Sequence, residues 1–124
     1  MNEKTKFTVV ALGGSIIVSR KIQTAYLKRL RNFLKTRIEK GDKFVLVAGG
    51  GSVARNYQKA ALSVRDVSDE DKDWLGIHSS RLNAHLMRTI FRDIAYIYMI
   101  KHYDVIDKKA REYPVVIGGG WIQR

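Results

Sequence analysis

The residues best suited to chemistry stand together in Val45-Leu46-Val47-Ala48-Gly49-Gly50-Gly51-Ser52-Val53-Ala54-Arg55: an apolar run, three glycines, then an arginine one turn further on. Glycine lacks Cβ, so its backbone reaches positive φ readily and a bulky anion can approach it closely. Ser52 is placed to cap a helix whose first N–H groups have no intrahelical acceptor and carry the positive end of the helix dipole. Arg55 adds a planar fork of donors that suits a phosphate better than a lysine's point charge. The chemistry these residues suit is the holding of a phosphate. A single strand, glycine turn and helix also occurs where the two elements merely pack closely. Here the pattern is present three times, in Val9-Val10-Ala11-Leu12-Gly13-Gly14-Ser15, in residues 45–52 and in Val115-Val116-Ile117-Gly118-Gly119-Gly120.

To face one crevice, the three turns must end strands of one parallel sheet, since ligands of such sheets sit outside the carboxyl ends. Residues 7–12 are apolar after Phe7-Thr8, as in a strand covered on both faces, and Ile16-Ile17-Val18 is expected to continue in extended form. Ile22, Tyr26, Leu27, Leu30, Phe33, Leu34 and Ile38 recur at three- and four-residue spacing. That predicts an amphipathic helix from about Gln23 to Lys40, stopped by Gly41. A second strand follows at 43–48, then a helix from Ser52 to about Leu62 with Val53, Tyr57, Ala60 and Ala61 inward. Residues 65–73 read as a polar link in which Ser68 and Asp71 have a capping-box shape. A long helix carrying Trp74, Leu75, Ile77, Leu82, Leu86, Ile90 and Phe91 runs to about Asp93, unbroken or interrupted near Gly76. A third strand at 95–100, a short helix at 102–112 and a final strand opened by Pro114 complete the chain. The class is α/β: a single domain over residues 1–124 with an open, mainly parallel sheet and helices on both faces. A turn such as 118–120 normally leads into a further covering helix. The sequence therefore reads as the first part of something longer, with an exposed apolar patch expected near Val115 to Trp121.

The chain has 124 residues, 45% hydrophobic and 28% charged, which excludes a disordered chain and suits one modest domain. No apolar run approaches a membrane span, no signal-type segment opens the chain and there is no cysteine, so a cytoplasmic location is expected. The formal net charge of +11 calls for an anionic partner. Much of the excess lies in Arg20, Lys21, Lys28, Arg29, Arg31, Lys35, Arg37, Lys40 and Lys43, on or beside one helix. There it reads as a solvated face; without RNP-type aromatics or a KH-type loop, a specific nucleic-acid site is not supported. His78, His85 and His102 lack ligand-like spacing, so no protein-held metal is expected.

The sequence resembles the uridylate (UMP) kinase branch of the amino-acid kinase family, particularly its archaeal-type members, over nearly its whole length. The resemblance rests on Gly13-Gly14-Ser15, on Gly49-Gly50-Gly51-Ser52-Val53-Ala54-Arg55-Asn56-Tyr57, and above all on Asp73-Trp74-Leu75-Gly76-Ile77-His78-Ser79-Ser80-Arg81-Leu82-Asn83-Ala84. Such enzymes transfer the γ-phosphoryl group of ATP to UMP to give UDP in pyrimidine nucleotide synthesis, with Mg²⁺ bridging the ATP phosphates. The resemblance implies that Gly14 and Ser15 approach the ATP phosphates, Gly51 and Arg55 the phosphates between the nucleotides, and Gly50 the UMP. It further implies that Asp73 accepts hydrogen bonds from the ribose hydroxyls and that Gly120 and Trp121 begin a loop on the acceptor. Phosphoryl transfer asks mainly for positioning and charge neutralisation, which suits these residue types.

Two features depart from the family pattern. Ala11 stands where many members carry a lysine that neutralises the transferring phosphate, so no catalytic residue is assigned. The sequence ends at Ile122-Gln123-Arg124, where relatives continue into an adenine-binding C-terminal half; the match is to the N-terminal half only. The alternative from another class is a non-catalytic nucleotide-binding or assembly module derived from this family. Relatives form dimers and hexamers, which implies a homo-oligomer. Arg81 and Asn83 read as structural, and Trp74, Tyr96 and Tyr98 as core or interface.

Overall fold

The computed structural model describes residues 6–19, 21–100, 106 and 108–119. In order they form β1 (Phe7–Leu12), α1 (Gly14–Ile17), α2 (Thr24–Glu39), β2 (Lys43–Ala48), α3 (Gly51–Val64), α4 (Asp69–Ile90), a 3-10 turn (Ala110–Glu112) and β3 (Val115–Gly119). The strands make an open parallel sheet in the order β1-β2-β3. The fold is therefore α/β, as the alternation of periods predicts.

Register decides which residues share a face. Thr8, Phe44 and Val115 form one cross-strand row, Val10, Leu46 and Ile117 the next, and Leu12, Ala48 and Gly119 the last. Leu12, Phe44, Leu46, Ala48, Val115 and Ile117 pack with Ile17, with Leu27 and Leu34 of α2, and with Ala84, Met87 and Phe91 at and beyond α4. Both crossovers lie on this face, as right-handed connections between neighbouring strands taken in one direction require. The opposite face is thinner. Val45 and Val116 meet Tyr96 and Ala110 of the 3-10 turn, with Ile106 partly buried beside them. Val9, in the same cross-strand row as Val45 and Val116 but on the edge strand β1, is 51% exposed.

Helix ends follow local chemistry. At the end of α2 the Gly41 N–H donates to the Ile38 carbonyl at 2.9 Å and the Asp42 N–H to that of Arg37 at 3.1 Å, with Gly41 at φ 99°. This paired return is the Schellman arrangement, and the positive φ is the reason for glycine. Ser68 caps α4, its hydroxyl accepting from the Asp71 N–H at 3.1 Å, and Asp69, Glu70 and Asp71 complement the dipole. The helix passes through Gly76 without a break.

Several sequence expectations are corrected. Ile16-Ile17 coil into α1 instead of extending, because Ile17 is fully buried in the helical layer and the Val18 N–H returns to the Gly14 carbonyl at 2.7 Å. The polar link shrinks to 65–68 between α3 and α4. Residues 95–100 do not form the strand expected there. Their backbone pairs with β3 only through bridges at Ala95 and Ile100, where the Tyr96 and Ile100 N–H groups donate to the Val115 and Ile117 carbonyls. Val115, Val116 and Ile117 are wholly buried, so the strand's share of the apolar patch expected over 115–121 is absent; Gly120 and Trp121 lie outside the described residues, and among the described strands the exposed large apolar side chain is Val9 of β1. Of the helix expected over 102–112, residues 102–105 and 107 lie outside the described residues, and the described end forms only the 3-10 turn Ala110–Glu112.

Arg31 clamps the helical layer. Its guanidinium donates to both Asp93 carboxylate oxygens at 2.9 and 2.7 Å and to the Ile90 carbonyl at 2.7 Å, and lies 5.7 Å from the Phe91 ring centroid. Hydrogen bonding from Arg31 is the main cause that holds the Asp93 carboxyl below its usual range. A depressed carboxyl stabilises above its unfolded pKa, and that contribution disappears as pH falls through the folded value. Because the pair is partly exposed, Asp93→Asn should cost at most about 1 kcal/mol near neutral pH in urea unfolding. The gap from wild type should close as pH drops below about 4; a constant gap would assign it to something other than this ion pair.

Candidate phosphate-binding crevice

The first two glycine turns meet directly. A Cβ on Gly14 would lie 2.3 Å from the Gly51 nitrogen and 2.6 Å from the Gly49 oxygen, while a Cβ on Gly51 would lie 2.3 Å from the Gly14 carbonyl carbon. Backbone packs on backbone with no room for a side chain. Gly51, at φ 57°, also opens α3 in the left-handed region that glycine favours. The Gly49 N–H donates to the Leu12 carbonyl at 3.0 Å, extending the β1–β2 pairing to the foot of the contact. The third turn lies alongside, since a Cβ on Gly119 would come within 3.1 Å of the Ala48 oxygen and of the Ser80 oxygen.

Charge enters through Arg55. Its Nη2 donates to the Ser15 hydroxyl at 3.0 Å, tying the first turn of α3 to the first glycine turn. Gly14, Ser15, Gly51 and Arg55 therefore stand together at the carboxyl ends of β1 and β2. The cap expected from Ser52 is not made. Gly50 is the N-cap residue, and the Ser52 hydroxyl donates instead to the Val18 and Ser19 carbonyls at 3.0 and 2.6 Å. The first N–H groups of α3, one turn from the guanidinium, remain the donors available at this helix end.

α4 forms the far wall. A Cβ on Gly50 would approach the Gly76 oxygen at 3.2 Å and Ser79 Cβ at 3.3 Å, so this glycine lets the second turn lie against the helix. Asp73 is exposed and shares the helix face of Ser80, about 10 Å further along the axis toward the N-terminus. The helix runs back over the sheet from Ser80, beside Gly119, to Phe91, beneath which Ala95 meets Val115. Asp73 thus stands beyond the carboxyl edge of the strands, at one end of the crevice and outside the glycine contact. Ala11 is exposed on the thinner face of β1, opposite Val47. Gly120 and Trp121 lie outside the described residues. Among the described residues no three His, Asp or Glu side chains are grouped to hold a metal.

α3 departs from expectation. Ala54 is its buried residue, Tyr57 is 62% exposed, and Ala60 is also exposed. The helix packs chiefly on α4 and α1. Gln58 secures it, its amide donating to the Lys72 carbonyl at 2.8 Å. Asn83, which the sequence marks only as structural, is 2% exposed and donates from Nδ2 to the Gly49 carbonyl at 2.8 Å. The signal for this contact is its place between Ile77 and Met87 on the buried stripe of α4, where a polar amide needs a partner.

The amino acid kinase family model matches residues 6–107. The chain is 37% identical over 92 residues to the uridylate kinase of Sulfurisphaera tokodaii, covering 74% of this chain and 40% of that protein. To the Methanosarcina barkeri uridylate kinase it is 34% identical over 112 residues, covering 90% and 47%. The crystal structure of uridylate kinase from Archaeoglobus fulgidus superposes with a TM-score of 0.73 at 27% identity over 92% of this chain and 50% of that one. The chain thus spans less than half the length of these two curated relatives.

The glycine contact makes a paired prediction. Gly51→Ala should destabilise by more than about 2 kcal/mol, through the left-handed φ and the clash with Gly14. Gly13 has φ −57° and ψ 138° and nothing within 4 Å of an added methyl, so Gly13→Ala should be neutral or stabilise by up to about 1 kcal/mol. Thermal unfolding of the two variants checks the contrast; equal effects would contradict the packed turn.

Proposed function

The chain belongs to the amino acid kinase family, and we propose that it carries the acceptor-nucleotide part of a UMP kinase, which transfers the γ-phosphoryl group of ATP to UMP. In this proposal residues 1–124 are one α/β domain corresponding to the N-terminal part of the family fold. The observation that carries it is the joining of the Gly14–Ser15 and Gly51–Arg55 elements at one end of the sheet, with Arg55 hydrogen-bonded to Ser15.

Each residue then has a physical task. Arg55 neutralises phosphate charge, and Gly14, Ser15 and Gly51 let phosphate oxygens reach backbone donors without a side chain intervening. Gly50 borders the UMP. Asp73, beyond the strand ends, accepts from the ribose hydroxyls, and Gly120 with Trp121 contacts the acceptor. Catalysis is by alignment and charge compensation, without covalent participation of the protein. Mg²⁺ arrives with ATP as part of the donor substrate. Ala11 contributes no charge on β1, so Arg55 is the cation at the paired turns in this proposal.

A second reading, favoured by the uncharged Ala11 on β1, is a nucleotide-binding or assembly module of this family that does not itself complete phosphoryl transfer. Assembly into a homo-oligomer accords with Tyr57, Val64 and Leu82, which are large, apolar and exposed on α3 and α4. A cytoplasmic setting belongs to the same proposal; no helix among the described residues is long and apolar enough to cross a membrane.

Calorimetric titration with UMP, with CMP and AMP as controls, tests it. UMP should bind saturably and more tightly than either control. Asp73→Ala should weaken it by about tenfold, the value of one charge-assisted hydrogen bond pair. Equal binding of all three nucleotides, or an unchanged affinity in Asp73→Ala, would refute the UMP assignment.

A further inference from the structure

Asn83 lies among the fully buried Ala84 and Met87 on α4 and is itself 2% exposed. An amide in such surroundings is costly unless its hydrogen bonds are made. Its Nδ2 donates to the Gly49 carbonyl at 2.8 Å and reaches the Gly50 carbonyl at 3.5 Å, while the Gly50 carbonyl also accepts from the Ala54 N–H at 3.3 Å. These partners are the backbone of the second glycine turn, 33 and 34 residues away in the chain.

The consequence follows from peptide geometry. In a trans peptide the carbonyl of one residue and the N–H of the next point in opposite directions. Holding the Gly49 carbonyl against α4 therefore turns the Gly50 N–H away from α4, and holding the Gly50 carbonyl does the same for the Gly51 N–H. Glycines gain freedom by lacking Cβ, so such a turn loses direction unless something fixes it. Ser79, the other buried polar side chain of the described residues, is satisfied within its own helix by the Leu75 carbonyl at 2.8 Å and has no such role.

We propose that Asn83 is a positioning residue. By holding the Gly49 and Gly50 carbonyls it aims the Gly50 and Gly51 amides as donors to a phosphate anion. The assignment rests on reading the glycine turns as a phosphate site. It adds that the donor set is fixed from α4, through a side chain that touches no ligand.

The test uses the ¹⁵N-labelled chain titrated separately with pyrophosphate and with UMP, following the Gly50 and Gly51 amide resonances. In wild type pyrophosphate should move both, saturably. In Asn83→Ala, with the rest of the spectrum dispersed as in wild type, the same shifts should need about tenfold more pyrophosphate. Equal titration of wild type and variant would overturn the proposal while leaving the phosphate site standing. Response to pyrophosphate without preference for UMP would uphold the role of Asn83 and refute the acceptor assignment. Silence of both amides toward both ligands would overturn the two together. Should the variant fail to fold, the wild-type Asn83 side-chain amide decides: its hydrogen exchange should slow when pyrophosphate binds, and unchanged exchange would overturn the proposal.

Discussion

Gly14 and Gly51 meet backbone to backbone, and nothing larger than hydrogen fits on either Cα. Everything at the carboxyl end of the sheet follows from that contact. It brings the end of β1 to the start of α3, which places Arg55 within reach of Ser15. It also fixes the direction in which α3 leaves. With its N-terminus anchored beside α1, α3 packs chiefly on α4 and α1, leaving Tyr57 and Val64 outside. A side chain at either glycine would therefore disturb packing, entry angle and donor placement together, although no side chain of the core is involved.

The remainder of the molecule serves to hold that contact in place. Two crossovers on one face let the α2 and α4 layers share a single apolar interior with the sheet, with Phe91, Met87 and Leu34 among its largest fully buried side chains. Burying each such side chain is worth about 1.5–3 kcal/mol, several times the contribution of an exposed ion pair. The sheet is thus fixed mainly from its helical side. α4 carries both functions at once: its C-terminal half belongs to the interior, and its middle supports the second and third glycine turns through Asn83, Gly76 and Ser80.

Much of this is legible in the sequence, and the exceptions have physical causes. The strands 7–12 and 43–48, and α2 with its glycine stop, follow from period and capping, and they appear with the expected bounds. Ile16-Ile17 mislead because β-branched residues favour extension locally, whereas burial of Ile17 coils the segment. Placing Tyr57 and Ala60 inward assumes that a helix after a strand covers the sheet; α3 has a different partner. Residues 95–100 have the composition of a strand but pair with β3 only at their ends. For the crevice, the glycines, Ser15 and Arg55 are visible as types and spacing. Their place along one sheet edge follows from the strand pattern, but the backbone-to-backbone contact of Gly14 with Gly51 does not, because no local signal fixes how closely two turns so far apart in the chain approach. Asn83 is hidden for the same reason: its partners are carbonyl oxygens, which every residue has.

The central claim is that the paired glycine turns, with Arg55, form an anion site at the end of the sheet. A crystal structure of the chain grown with UMP tests it most directly. The account predicts the nucleotide phosphate within hydrogen-bond distance of the Arg55 guanidinium and of the Gly50 or Gly51 amide. A phosphate bound instead along the cationic outer face of α2, with the glycine turns empty, would contradict it.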